Sequence, residues 1–163
     1  MRLSSSYKLF FKLLFGFFLI YSLSLFAQSN YSNLWNEVSE VGLNTVGTRY
    51  IIPESYRTLE LDLADLSSAL NQVPKESTTP VRNSHFLLSI PTPDNNFITF
   101  KVVESPVMAE ELAAKYPMIK TYLGQGVEKN LSARVRFDVT PQGFHAIMFT
   151  TNGTIYIDPY SQG

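Results

Sequence analysis

The sequence predicts an α+β fold that is mainly β, with one or more antiparallel sheets of hairpins, sandwich-like or curled, and two or three short helices. Two observations support this prediction. Several segments alternate apolar and polar residues with the period of a strand, and Pro, Gly, Asn or Asp separates most of them. Helical spacing is confined to a few short stretches. The chain is therefore expected to form hairpins joined by tight turns.

The first predicted helix surrounds the single tryptophan, Trp35. Asn33 or Ser32 is a suitable N-cap, and the i, i+4 spacing of Leu34 and Val38 gives the segment one apolar side. This helix is expected to dock on the domain, with Trp35 in a packing role.

Two short strands and a second helix follow. The strands are predicted at 49–52 and 56–61, and residues 75–83 are read as a loop because they have no apolar period. Asp62 is a good N-cap for a helix over Leu63–Leu70, whose leucines recur on one face.

The segment 97–126 combines a strand, a helix and a second strand between Pro and Gly boundaries. Its first strand, 97–104, has one strongly apolar face and forms a hairpin with a strand at 86–90. A third helix is predicted at 109–115, with acids in its first turn. The second strand, 119–123, is expected to end at a Gly124–Gly126 turn.

The last third of the chain is predicted to be three strands, at 133–139, 144–150 and 154–157. A Pro-containing turn separates the first two. Asn152–Gly153 predicts a two-residue type I′ turn between the last two, which requires positive φ at both positions.

The N-terminus has the features of an export signal. Arg2, Lys8 and Lys12 precede an apolar run, and cleavage is predicted between Ala27 and Gln28. The run is shorter than the roughly 20 residues that span a bilayer. We therefore expect residues 1–27 to be a signal peptide, residues 28–163 to be a single secreted domain, and membrane contact to be limited to export.

Charge and composition exclude several classes of function. Loss of the three signal-peptide cations reduces the basic residues from 13 to 10 against 14 acidic ones, which argues against a nucleic-acid partner. The chain has no cysteine, so it has no disulfide, thiolate nucleophile or cysteine-based zinc site.

No catalytic or metal-binding pattern is present in the sequence, and no cofactor is predicted. His85 and His145 are the only histidines, and neither lies in a zinc-binding motif. The sequence also lacks the Gly-x-Ser-x-Gly pattern of a serine hydrolase.

One group of residues predicts a charged surface on the sheet. Arg134, Arg136, Asp138 and His145 lie on adjacent predicted strands, with Arg136 and Asp138 on one face and His145 placed across from them. This charged sheet face is either a site that grips a partner's carboxylate or backbone, or a solvated face without a ligand.

The succession of motifs resembles a known family. The segments YRTLELDLADLSSAL, SIPTPDNNF, ESPVMAEELAAKYPMIKTYLGQG, RFDVTPQGFHA and GTIYIDPYSQG look like the N-terminal propeptide domain of bacterial secreted zinc metallopeptidases of the reprolysin (adamalysin) type. The most specific parts are 104–126 and 136–160. That family's catalytic domain, with its HExxHxxGxxH motif, is not among these residues, so the resemblance implies a fragment, a truncated reading frame or a stand-alone remnant.

The resemblance implies a domain that assists folding of a zinc metallopeptidase and keeps it latent, in cis or in trans, without being catalytic itself. The loop containing Glu104, Pro106 and Met108 is the predicted contact with the peptidase, because Pro106 is expected to leave backbone groups unpaired there. The alternative is a stand-alone secreted or cell-surface β-rich module for binding or adhesion.

Overall fold

The computed structural model describes residues 30–31, 33–41, 43, 47–49 and 52–161. The mainly β prediction is confirmed. The described residues contain nine strands, two α-helices and two 3-10 turns, the turns at Val81–Asn83 and Glu128–Asn130. The strands are β1 Asn30–Tyr31, β2 Trp35–Glu37, β3 Leu59–Leu61, β4 Leu87–Pro91, β5 Phe97–Glu104, β6 Lys120–Gly126, β7 Arg134–Thr140, β8 Gly143–Thr150 and β9 Gly153–Ile157; the helices are α1 Leu63–Leu70 and α2 Glu110–Lys115.

Seven strands form one curled sheet in the order β1-β4-β5-β6-β7-β8-β9. From β4 onward each strand pairs antiparallel with the next one in the chain, whereas β1 pairs parallel with β4. The strands β2 and β3 form a separate antiparallel pair. The confirmed hairpins place sequence neighbours side by side, which is the arrangement that short turns allow.

The hydrophobic core lies on one face of this sheet, beneath α1. Alternate residues of each strand point to this core face and the others to the opposite face, here called the open face. The largest fully buried side chains include Phe100 and Tyr122. The core cluster comprises Leu34, Leu66, Ala69, Leu70, Val73, Phe86, Leu88, Ile90, Ile98, Phe100, Val102, Tyr122, Ala133, Val135, Phe137, Phe144, Ala146 and Met148.

Helix α1 occupies the predicted residues. The Asp62 side chain accepts a 2.9 Å hydrogen bond from the Asp65 amide, which satisfies one unpaired N–H at the helix start. Leu66, Ala69 and Leu70 are buried in the core, so the apolar face predicted from the leucine spacing is the face that packs.

The helix predicted around Trp35 is wrong, because these residues form strand β2. Trp35 pairs with Leu61, and the Asp62 amide donates to the Leu34 carbonyl, so backbone pairing with β3 satisfies this segment. The Trp35 ring packs edge-on against Phe144, with 5.4 Å between centroids, as expected for a packing role. Here tertiary pairing overrides a weak local periodicity.

The predicted elements nearest the N-terminus are otherwise only partly described. The signal segment and the Ala27–Gln28 bond lie outside the described residues, as do residues 50 and 51 of the strand predicted at 49–52. Arg49 and Ile52 are not in a strand, and the strand predicted at 56–61 begins only at Leu59.

The turn predicted at Gly124–Gly126 is also wrong, because β6 continues through both glycines. Gly124 is paired with Val102 and Val135, and Gly126 with Phe100. A Cβ at Gly124 would lie only 2.5 Å from the Val135 side chain. Glycine is needed here for close approach within the sheet rather than for a turn.

The β8–β9 hairpin is confirmed, but its turn is not the predicted type I′. Thr150 is paired with Gly153, so the loop is Thr151–Asn152, and Gly153 rather than Asn152 has positive φ, at 129°. The Thr150 hydroxyl accepts from the Asn152 amide and donates to the Gly153 carbonyl. The β7–β8 turn has the same hydrogen bonds, with Thr140 in the place of Thr150 and Gly143, at φ 128°, in the place of Gly153. A Thr-x-x-Gly motif therefore builds both turns.

An arginine cluster ties the end of the described chain to its beginning. The Arg49 guanidinium lies between Tyr56 and Tyr160, with Cζ 4.5 and 4.2 Å from the ring centroids. It also lies 3.7 Å from the Glu40 carboxylate. Hydrogen bonding from Thr58, followed by Tyr56 and the Arg49 charge, lowers the pKa of Glu40.

This cluster predicts a stability loss in acid. Because the pKa of Glu40 is lower in the folded state than its ordinary 4.5, its stabilisation is present above pH 4.5 and is lost as the pH falls through the folded value. We expect Glu40→Gln to reduce the slope of unfolding free energy against pH in that acid range, measured by urea denaturation. The matched control is Glu54→Gln, an exposed glutamate. Equal slopes in the two variants would contradict the prediction.

Candidate functional site

The candidate site is a cleft of about 320 Å³ on the open face of β6, β7, β8 and β9. Tight turns join β7 to β8 and β8 to β9, and a longer connection through Glu128–Asn130 joins β6 to β7. The β5–β6 connection reaches the rim through Val107. The lining residues are Val107, Thr121, Tyr122, Arg136, Phe137, Asp138, His145, Ala146, Ile147, Tyr156 and Asp158.

The centre of the cleft is an aspartate–histidine pair. Asp138 and His145 are directly opposite in the β7–β8 register, and Asp138 Oδ1 lies 3.0 Å from His145 Nδ1. Both side chains are partly exposed, at 35% and 29%. A carboxylate at Nδ1 holds the proton on that nitrogen and leaves Nε2 as an acceptor in the neutral ring.

The structure brings together three of the four residues of the predicted charged sheet face. Arg136, Asp138 and His145 all line the cleft. Arg134 does not, since its guanidinium is turned to the Leu131 and Ala133 carbonyls at 2.8 and 3.0 Å. Two-residue spacing puts a side chain on a face, but the local carbonyl partners decide where a long side chain goes.

None of the three residues named for the predicted contact loop reaches the cleft, although a residue between them does. Val107 lines the cleft, whereas Glu104, Pro106 and Met108 do not. Pro106 is exposed, and Glu104 is half-buried as the last residue of β5.

Part of the backbone in this loop is hydrogen-bonded, on both sides of Pro106. The Glu104 amide donates to the Pro74 carbonyl, and the Ser105 amide donates to the Thr121 carbonyl. The Thr121 hydroxyl donates to the Ser105 carbonyl and accepts from the Val107 amide. Flanking segments thus compensate for the interruption that Pro106 makes in the sheet.

The sequence-based reasoning missed the contribution of β9 and the residues after it. Ile147 is paired with Tyr156, which places Tyr156 on the open face beside the cleft, and Asp158 follows on the same side. A type I′ turn at Asn152–Gly153 does not give this register. The Thr-x-x-Gly motif would have given it, because it fixes the pairing of Thr150 with Gly153.

The chemistry of this cleft is suited to binding. Thr121 is the one hydroxyl from Ser or Thr in the lining, and both hydrogen-bonding roles of that hydroxyl are occupied. The Tyr122 side chain lies on the core face, where burial raises the pKa of its phenol, so it adds no charge to the cleft. Among the described residues, no three His, Asp or Glu side chains are grouped to hold a metal ion. The site therefore presents one cation, two carboxylates, an imidazole and apolar walls.

Comparison with known proteins gives no match to this chain: no family model, no curated protein and no solved structure. The described residues include no helix with the length and hydropathy that a bilayer span requires.

Proposed function

We propose that this chain is an exported propeptide-type domain that assists folding of a reprolysin-like zinc metallopeptidase and keeps it latent. The observation that supports this function best is the composition of the cleft. All of its lining residues belong to 104–126 or 136–160, the two segments in which the resemblance to the propeptide family is most specific. These segments are separate in sequence and meet in one surface site.

The surroundings of the cleft are suited to a protein partner. Val107 and Tyr156 are both 68% exposed and line it, and Phe149 on the same open face is 50% exposed. Exposed apolar side chains grouped around a polar centre are typical of protein–protein interfaces. The partner in this proposal is the metallopeptidase catalytic domain, in cis or in trans, in a secreted setting.

Latency in this proposal comes from steric cover. The chain has no cysteine, so no thiolate of this domain reaches the peptidase zinc. The domain acts without a cofactor and without turnover of its own. It blocks the peptidase by occupying the surface that substrate would use.

The proposal predicts inhibition in trans that depends on the cleft. The purified chain, added to a reprolysin-type catalytic domain, is expected to inhibit peptide hydrolysis, and Val107→Asp is expected to raise the inhibition constant roughly tenfold or more through a buried charge. Leu131→Asp is the matched control, since Leu131 is 62% exposed and outside the cleft. Fluorogenic-peptide kinetics measures both.

Wild-type chain that neither binds nor inhibits the catalytic domain would refute this function. The alternative, a stand-alone secreted or cell-surface binding module, would then be favoured. The exposed rings of Phe149 and Tyr156 on the open face support it, because aromatic side chains on a sheet can stack against a protein or glycan ligand.

A further inference from the structure

Strand β9 is an open edge of the main sheet. In the described part of the chain it pairs only with β8, and the chain beyond it turns back toward the β7–β8 turn, where the Pro159 ring lies beside Gly143. The β4–β5 side is covered instead, by Asn30–Tyr31 along β4 and by a bridge from Lys75 to Glu104. Among the residues that the structure describes, no strand pairs with the outer side of β9.

The register of the β8–β9 hairpin identifies the free backbone groups on this edge. A two-residue loop leaves Thr150 and Gly153 directly opposite, so these residues exchange both of their backbone hydrogen bonds. The antiparallel alternation then points the N–H and C=O groups of Thr154 and Tyr156 away from β8. Two donors and two acceptors, spaced for another strand, face outward.

Two of the usual protections against edge pairing are absent from β9. Gly153–Ile157 contains no Lys and no Pro, and Pro159 comes only after the strand has ended. Its open-face side chains, Thr154 and Tyr156, are exposed. A strand laid along β9 would meet the outward N–H and C=O groups of Thr154 and Tyr156, which pair with no other described strand.

Charge near the edge indicates which strand would fit. Arg136 Nη1 lies 3.5 Å from the Ser105 hydroxyl, on the far side of the cleft across β6. Asp158 directly follows β9 and lines the cleft beside the edge, whereas Asp138 lies two strands away on β7 and is paired with His145. The charged group of the cleft nearest the edge is therefore the Asp158 carboxylate.

We infer that β9 accepts an extended segment of a partner protein by strand addition, with a lysine or arginine of that segment placed beside Asp158. Main-chain bonds to Thr154 and Tyr156 give the affinity, and the Asp158 carboxylate selects the basic side chain. That the segment belongs to the metallopeptidase rests on the proposed function; the edge and its charge preference do not.

The test uses the full chain, labelled with ¹⁵N, and a short synthetic peptide of alternating threonine and valine with one central lysine. The lysine peptide is expected to slow amide exchange at Thr154 and Tyr156. A peptide with glutamate in place of lysine should bind about tenfold more weakly. Thr154→Pro removes one outward N–H and should abolish binding, whereas Thr154→Val keeps that N–H and should not. Asp158→Lys leaves the edge intact and should remove the preference for lysine.

Four results would overturn the inference: no protection of the two amides by the lysine peptide, equal binding of the glutamate peptide, unchanged binding by Thr154→Pro, or protection without peptide that grows with protein concentration. The last result would assign the edge to a second copy of this chain. No peptidase is present in this test, so its failure is distinct from a failure to inhibit the catalytic domain.

Discussion

Replacing Gly126 with alanine is expected to lower the free energy of unfolding by about 3 kcal/mol, at the upper end of the usual cost of overpacking. A Cβ at this position would overlap the Asn130 carbonyl oxygen and would lie 3.1 Å from the Ala133 Cβ. The oxygen belongs to backbone that is itself bonded, since it accepts from the Ala133 amide at 2.8 Å. Displacing this oxygen alone would weaken that bond.

Whether Gly126→Ala lowers or raises the free energy of unfolding depends on the contact with the Asn130 carbonyl oxygen. In a strand without such a contact, alanine in place of glycine stabilises the fold by reducing the freedom of the unfolded chain. Urea denaturation of Gly126→Ala should be compared with that of Gln125→Ala, a change on the same strand at a partly exposed position. A Gly126→Ala protein as stable as wild type would mean that the Glu128–Asn130 turn yields at little cost.

Gly126 also shows why part of the fold could not be predicted from the sequence. A glycine that begins a turn and a glycine that lets two segments approach closely have the same appearance in a sequence. Which role applies is set by contacts that the local pattern does not show, here the pairing with the distant Phe100 and the approach of the Asn130 carbonyl from the following turn. Leu63–Leu70, in contrast, was predictable because its cap and its apolar face lie within the segment itself.

The candidate site, like the fold, could be predicted from the sequence only in part. The pairing of Asp138 with His145 followed from two strands and one short turn, so local patterns were sufficient. The positions of Tyr156 and Asp158 required the correct register of the β8–β9 hairpin, and the position of Val107 required the β5–β6 connection to lie against β6. The error in one turn type therefore hid one wall of the cleft.

Burial on the two faces of β5 was predictable only for the core face. Ile98, Phe100 and Val102 are buried as their alternation indicates. Val103 lies on the opposite face and is nonetheless fully buried, and the turn Val81–Asn83 lies against β5. The Lys101 ammonium donates to the Arg82 carbonyl on the same side. The segment predicted as a plain loop thus covers part of the open face.

Phe100→Ala is expected to cost about 4 kcal/mol of unfolding free energy, because the side chain is fully buried and its loss leaves a cavity. Phe100 is paired with Leu88 on β4 and with Gly126 on β6, so its ring lies in the middle of the sheet's core face. The opposing glycine has no side chain with which to fill the space. We therefore expect little collapse around the cavity and a cost in the upper half of the usual range.

Phe97→Ala is the matched control, since it deletes the same atoms from the same strand on the open face, where Phe97 is 44% exposed. We expect it to cost well under half as much as Phe100→Ala. Thermal and urea unfolding of both variants would measure the difference. Equal losses would mean that the open face at β5 is covered as well as the core face, and the apolar side chains there would then be part of a second core rather than a surface for a partner.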